Sequence, residues 1–175
     1  MLRRRSHPRV TADAPSREDL IPLVQAAATA ADHAALRPWR LIELRGDARD
    51  RLGAAFVDAS GLVDEDAARL AAKPLRASLL LAVVVSRKSS FKVHDWEQDA
   101  AAAGVAHLLS LLLDEAGWGV MWRTGGHTRS EPVRRLHGLT DSEDLLGWLY
   151  VGGKTDAQKP DARQSFDAAE LLTRL

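Results

Sequence analysis

The stretch SLLLAVVVS, residues 78–86, decides the fold of this 175-residue chain. Its aliphatic core, Leu79 to Val85, shows no alternation with polar residues. A branched apolar run of this length is typical of a strand in the middle of a sheet, covered on both faces. The run from Leu79 to Val85 is also far too short to cross a bilayer. We therefore expect a central strand with helices packed on either side of it.

Helical and strand patterns lie on both sides of this run. Ser16 and Asp19 have the spacing of a capping box, and apolar residues at helical spacing follow them, so we predict a helix over 16–31. Pro132 suits the first turn of a later helix that opens at Ser130. The remaining predicted elements are helices at 47–59 and 65–72 and strands at 39–45, 120–123 and 145–151.

These elements predict an α+β fold, in which helices sandwich a central mixed or antiparallel sheet. We expect a single domain over residues 1–175, with a polar tail from about residue 154 and a short docking helix at 166–175.

The segment 96–116 is apolar on nearly every helical face. Such a helix is buried inside a domain or between two subunits. We interpret Asp95 and Gln98 as its capping pair. The neighbouring His94 and Glu97 then have no metal-ligand role, because the histidines and carboxylates of the chain lack ligand spacing.

The composition excludes several functions. Acidic and basic residues balance at 24 each, whereas a nucleic-acid or membrane-surface protein normally has a basic excess. The absence of cysteine excludes disulfides, thiol catalysis and thiolate metal sites. No nucleophile elbow, phosphate loop or dinucleotide fingerprint is present. No apolar stretch follows the N-terminal arginines as in a signal peptide, so we expect a cytoplasmic protein without a nucleic-acid or membrane partner.

Three short stretches carry candidate chemistry, although each also has an ordinary structural explanation. Arg4, Arg5 and Ser6 offer forked cationic donors and a hydroxyl to a phosphate, but they also suit a solvated basic tail or a nucleic-acid arm. His33 lies at the expected end of the first helix, where a histidine often serves as a cap. The segment WRTGG, residues 122–126, would expose backbone amides to a flavin or a phosphate, or simply form a turn.

Taken together, these stretches resemble the FMN-dependent nitroreductase family, in particular its short YdjA-like branch. The matching segments are RRS at 4–6, DH at 32–33 with RPWR at 37–40, WEQ at 96–98, GVMWRTG at 119–125 and the closing strand at 145–152. The resemblance covers roughly residues 3–153. It implies a homodimer with two FMN sites at the subunit interface, NAD(P)H as the reductant, and a nitroaromatic, quinone or similar small-molecule acceptor.

The resemblance also assigns the candidate site residues. Arg4, Arg5 and Ser6 would hold the phosphate and ribityl end of FMN, and His33 would approach from the partner subunit. The stretch Trp122, Arg123 and Thr124 would line the flavin. The chemistry belongs to the cofactor, so the resemblance implies neither a catalytic side chain nor a metal.

The chain departs from the family in three places. A helix normally precedes the arginine motif, so we expect either an upstream start or a less covered dimer interface. Position 29 is threonine where the branch can carry a basic residue, and the tail after Gly153 follows no family pattern. The resemblance also implies an alternative, a flavin-binding or flavin-degrading protein of the same fold without nitroreductase turnover, since the wider family includes such members.

Overall fold

The computed structural model describes residues 4–155 and 167–174 of the protein. Its sheet is antiparallel throughout, with the strand order β1-β2-β4-β3. The strands are β1 Trp39–Leu44, β2 Leu79–Ser86, β3 Trp118–Arg123 and β4 Glu143–Gly153.

Helices cover both faces of this sheet, which confirms the predicted α+β class. One apolar cluster joins α1 and α4 to the sheet, and a second cluster joins α2, α3 and α5 to its other face. The helices are α1 Arg17–Ala27, α2 Asp47–Ser60, α3 Asp64–Ala71, α4 Asp95–Glu115 and α5 Glu131–Leu136.

The apolar run at the centre of the sheet behaves as its pattern predicts. Every residue from Leu79 to Val85 is buried. Alternate side chains enter opposite clusters: Leu81 packs under α1 and α4, and Leu80 packs under α2 and α3. The strand therefore needs apolar residues at every position, which explains the missing alternation.

The predicted capping box at the start of α1 is confirmed. Ser16 Oγ accepts from the Asp19 amide at 3.1 Å, and the Asp19 carboxylate accepts from the Ser16 amide at 2.9 Å. These bonds, led by the one from the Ser16 amide, lower the pKa of Asp19. The helix ends at Ala27, four residues before the predicted end.

The predicted cap of α4 is wrong by one residue. His94, not Asp95, is the N-cap, and Glu97 at the third helical position accepts from the His94 amide at 3.1 Å. Gln98 does not cap the helix but is buried. Its Oε1 accepts from the Lys88 amide, and its Nε2 donates to the Lys88 carbonyl. The pairs His94/Glu97 and Asp95/Gln98 both have the three-residue spacing of a capping box. The bonds of Gln98 to Lys88 leave His94 and Glu97 as the capping pair.

The described part of the tail differs from the predicted docking helix. Residues 167–174 contain a single 3-10 turn, Ala168–Leu171, and Leu171 and Leu172 are exposed. Phe166 and Leu175 of the predicted helix lie outside the described residues.

None of the helices in the described ranges is long and apolar enough to cross a membrane.

Ion pairs tie the first residues of β4 to β1 and to the residue that follows β2. Arg40 of β1 donates to both carboxylate oxygens of Glu143 on β4, at 2.7 and 2.9 Å. This hydrogen bonding holds the pKa of the buried Glu143 at about 2. Asp144, the next residue, lies within 2.9 Å of both Arg87 and Arg129.

A buried histidine links α5 to β4. His137 Nδ1 lies 2.8 Å from the Val133 carbonyl, and its Nε2 lies 3.1 Å from Trp148 Nε1. The carbonyl can only accept and the indole can only donate, so His137 must be neutral, with its proton on Nδ1. Burial, more than any other cause, lowers the pKa of His137 below its usual 6.5.

We predict that the free energy of unfolding falls as the pH drops below 6.5, because the unfolded chain then binds a proton that folded His137 refuses. Each such histidine contributes a slope of up to about 1.4 kcal/mol per pH unit. His7 and His127 have lowered pKa values and act in the same direction. Urea unfolding between pH 5 and 8 should therefore show a smaller slope for His137→Gln than for the wild type. Equal slopes would contradict this account.

Candidate functional site

The N-terminal segment lies along the outer edge of the sheet beside β3. The His7 amide donates to the Val120 carbonyl at 2.9 Å. Farther along, the Thr11 amide donates to the Gly153 carbonyl, and the Gly153 amide donates to the Asp13 carbonyl, both at 2.9 Å. These bonds fix the residues that follow the Arg4–Ser6 motif against the strands.

Glycines in β3 and β4 make room for this segment. A Cβ atom on Gly119 would lie 2.9 Å from Val10 Cγ1, and one on Gly152 would lie 2.6 Å from Val10 Cγ2. Real Cβ contacts are longer than these, so a side chain at either position would displace the segment. The glycines are therefore required by the close approach of the N-terminal segment.

Arg4, Ser6 and Trp122, which lie far apart in the sequence, line one concavity of about 200 Å³. Its wall on the helix side is formed by His107, Ser110 and Leu111 of α4. The His107 ring meets the Trp122 indole edge to face, with 5.0 Å between the ring centroids. The structure thus brings together members of the first and third predicted stretches.

Arg123 lies on the opposite face of β3. Its guanidinium stacks on the Tyr150 ring at 5.1 Å, within the second apolar cluster. Adjacent residues of a strand point to opposite faces, so Trp122 and Arg123 cannot both line one surface of the strand. Thr124 follows the end of β3 and is exposed, while Arg5 is half-buried between Arg4 and Ser6.

Two unsatisfied donors occur at these predicted positions. Among the described residues, Trp122 Nε1 and Arg123 Nε are buried and lack a hydrogen-bond partner. A buried donor without a partner costs about 1–3 kcal/mol, so such groups call for an explanation. The donors that line the 200 Å³ concavity are the Arg4 guanidinium, the Ser6 hydroxyl and the Trp122 indole, whereas Arg123 lies on the other face. A ligand with acceptor atoms on a ring and a charged phosphate fits those three donors, and FMN is such a ligand.

His33 does not join this concavity within one subunit. It lies in the 3-10 turn His33–Ala35, and its Nδ1 is 2.8 Å from Glu97 Oε2 at the start of α4. Ser110 lies thirteen residues farther along α4, roughly 20 Å away at 1.5 Å per residue. This hydrogen bond is the main cause of the lowered pKa of Glu97.

The loop that carries His33 has a constrained backbone. Ala34, Ala35 and Arg37 have positive φ angles of 61°, 51° and 46°, which residues other than glycine rarely adopt. The Asp32 carboxylate accepts from the Arg37 amide at 2.7 Å and holds the loop in this form. Strained backbone of this kind concentrates at functional sites. Sequence reasoning did not identify Glu97 as a partner, because its role as the third residue of the helical cap was not recognised.

Lys154 lies close to Arg4 in a second groove of about 480 Å³. Its Nζ is 3.1 Å from Asp114 Oδ1 and 2.8 Å from the Asp114 carbonyl. His7 is buried beside this pair, and burial lowers its pKa. Lys159 and Arg163, two further basic residues of the tail, lie outside the described residues.

Comparison with known proteins identifies relatives of this chain. The sequence model of the nitroreductase family matches residues 1–153. YdjA of Escherichia coli strain K12, which is named as an NAD(P)H nitroreductase, is 30% identical over 155 residues, covering 87% of this chain and 85% of YdjA.

Solved structures share the fold. A nitroreductase-like family protein from Bacillus cereus is 25% identical, with a TM-score of 0.82 over 98% of this chain and 91% of its own. The FMN- and NADPH-dependent nitroreductase NfnB from Sphingopyxis strain HMH is 18% identical, with a TM-score of 0.74 over 99% of this chain and 96% of its own.

A glycine in β4 sets the position of Trp122. Gly147 has φ +125° and lies at an irregularity in the pairing of β2 with β4, opposite Val83. A Cβ on Gly147 would overlap the backbone carbonyl oxygen of Arg123, and it would lie 2.8 Å from Trp122 Nε1 and 3.1 Å from Thr124 Cγ2.

We predict that Gly147→Ala lowers the free energy of unfolding by roughly 1–3 kcal/mol, through backbone strain and overlap with the Arg123 carbonyl and Trp122. Urea unfolding, followed by tryptophan fluorescence, measures both the loss of stability and the displaced indole. Gly126→Ala is the matched control, because no atom lies within 4 Å of its added Cβ. Equal stabilities of the two variants would show that Gly147 does not set this geometry.

Proposed function

This chain belongs to the nitroreductase family, and we propose from that premise that it is an FMN-dependent NAD(P)H oxidoreductase. Its acceptors are nitroaromatics, quinones or similar small molecules. The proposal includes a homodimer with FMN at the subunit interface and a cytoplasmic location, where NAD(P)H is available as the reductant.

The observation that carries the proposal is the meeting of Arg4 and Ser6 with Trp122 at one edge of the sheet. The arginine and the hydroxyl supply donors of the kind that bind phosphate oxygens. Trp122 Nε1 supplies a donor that has no partner among the described residues. A phosphate-bearing heterocycle accounts for both kinds of group.

FMN, when bound, would supply the two-electron redox chemistry between NAD(P)H and the acceptor. The chain itself binds and orients. Arg4, Arg5 and Ser6 fix the phosphate end, and the backbone from Trp122 to Thr124 supports the ring. No side chain acts as a nucleophile or a base in this proposal.

Two features support a dimeric site. The outward side of α4 keeps Leu108, Leu111 and Leu112 only partly buried in a single chain, as expected for a helix that packs against a second copy. His33 is 42% exposed and roughly 20 Å along α4 from the concavity of its own chain. Its constrained loop is therefore placed, in this proposal, at the site of a partner subunit.

The turnover experiment is direct. The purified protein, or the apoprotein supplied with FMN, should show a flavin absorption band that NADPH or NADH bleaches without oxygen. Bleaching followed by recovery with a quinone or a nitroaromatic supports the proposal. Flavin that stays oxidised with both nicotinamides would favour the alternative, a flavin-binding protein of the same fold. A protein that refuses added FMN would refute both.

We predict that Arg5→Ala and Ser6→Ala weaken FMN binding, because each removes a phosphate partner. A hydrogen bond to a charged group is worth about 1.5–3 kcal/mol, so Kd should rise roughly 10- to 100-fold. Quenching of FMN fluorescence measures this Kd. Arg51→Ala, which removes an exposed arginine of α2, should leave Kd unchanged. Unchanged binding in both site variants would count against the assigned phosphate site.

We further predict that His33→Ala and Ser6→Ala subunits complement each other. In a mixed dimer one site carries both substitutions and the other carries neither, if each site takes His33 from one chain and Ser6 from its partner. Unfolding and refolding an equal mixture should therefore restore tight FMN binding in about a quarter of the sites. A mixture that binds no more tightly than its two components would contradict a shared site.

A further inference from the structure

Three arginines meet on the face of β3 that points away from Trp122. Arg9 of the N-terminal segment, Arg76 before β2 and Arg123 of β3 line one concavity of about 650 Å³. Pro8, Val10 and Met121 complete its wall. This volume lies within the usual range for a small-molecule site, whereas the 200 Å³ concavity beside Trp122 lies below that range.

These arginines have no counter-charge in the described part of the chain. No described carboxylate forms an ion pair with Arg9, Arg76 or Arg123, although Asp144 alone has three arginine partners. The Nε atom of Arg123 is buried without a hydrogen-bond partner among the same residues. Like charges gathered in one concavity repel one another, and a buried donor loses its water. An anionic ligand in the concavity would relieve the repulsion among the three arginines.

The neighbouring groups hold the cationic face in place. Tyr150 of β4 is 4% exposed, and the Arg123 guanidinium stacks on its ring. Burial raises the pKa of Tyr150 to about 12, against the opposing charges of Arg123 and Arg76. Tyr150 therefore stays neutral and cannot compensate the arginines.

We propose that Arg9, Arg76 and Arg123 form an oxyanion-binding site that takes a phosphate or carboxylate group of a small molecule. Guanidinium groups suit such oxygens because their forked donors match the planar or tetrahedral anion. This site is separate from the Arg4 and Ser6 concavity, since β3 lies between them. It goes beyond the proposed function, which requires a single phosphate site.

Inorganic pyrophosphate is the probe, and the NMR signal of the Arg123 Nε–H group is the readout. We expect a saturable shift of this signal in the apoprotein at low ionic strength. Arg76→Gln and Arg9→Gln should each raise the Kd read from it about tenfold. Ser6→Ala, on the other face of β3, and Arg51→Gln, a distant exposed arginine, should leave this Kd unchanged.

The same titration of FMN-loaded protein identifies the source of the oxyanion. If the shift persists, the oxyanion belongs to a ligand other than FMN, as the proposal requires; if FMN abolishes the shift, the three arginines belong to the flavin site and the separate site is refuted. An absent shift, or equal Kd values in the wild type, Arg76→Gln and Arg9→Gln, would overturn the proposal. The titration uses apoprotein and requires no turnover. Its result therefore tests the oxyanion site independently of the oxidoreductase proposal.

Discussion

The pairing of β2 with β4 at the centre of the sheet is the constraint on which the rest of the structure depends. β2 is buried on both faces, so its backbone groups must find their partners in neighbouring strands. The pairing shifts register between Val83 and Val84, opposite Gly147. That irregularity lies next to Trp122 and Thr124, so the central pairing also sets where the end of β3 points.

The candidate site is built at the edge of this sheet by a segment with little structure of its own. Residues 7–13 follow β3 and β4 through backbone bonds, in space that Gly119 and Gly152 leave open. The segment thereby places Arg4 and Ser6 on one face of β3 and Arg9 on the other. One short stretch thus contributes cations to two surfaces, and a ligand of either surface would stabilise it.

The fold was predictable where the signals are local. The apolar run of β2 and the Ser16 capping box depend on consecutive residues, and both predictions are confirmed. The cap of α4 was mispredicted because Gln98 is occupied by a tertiary bond to Lys88 that no local pattern reveals.

The site was only partly predictable. The opposite faces of Trp122 and Arg123 follow from strand geometry alone, but family resemblance placed both against one flavin. No sequence pattern indicated that Arg76 belongs to a site, because only folding brings it close to Arg9 and Arg123. The exposed position of His33 beside Glu97 likewise depends on how the loop meets α4.

Hydrogen exchange of the N-terminal segment tests most directly whether this segment holds the cofactor. The amides of His7 and Thr11 bond Val120 and Gly153, so their exchange reports how firmly the segment is held. Adding FMN to the apoprotein should slow the exchange of both amides, while amides of α2, remote from the site, keep their rates. Unchanged exchange at His7 and Thr11 under saturating FMN would contradict the account.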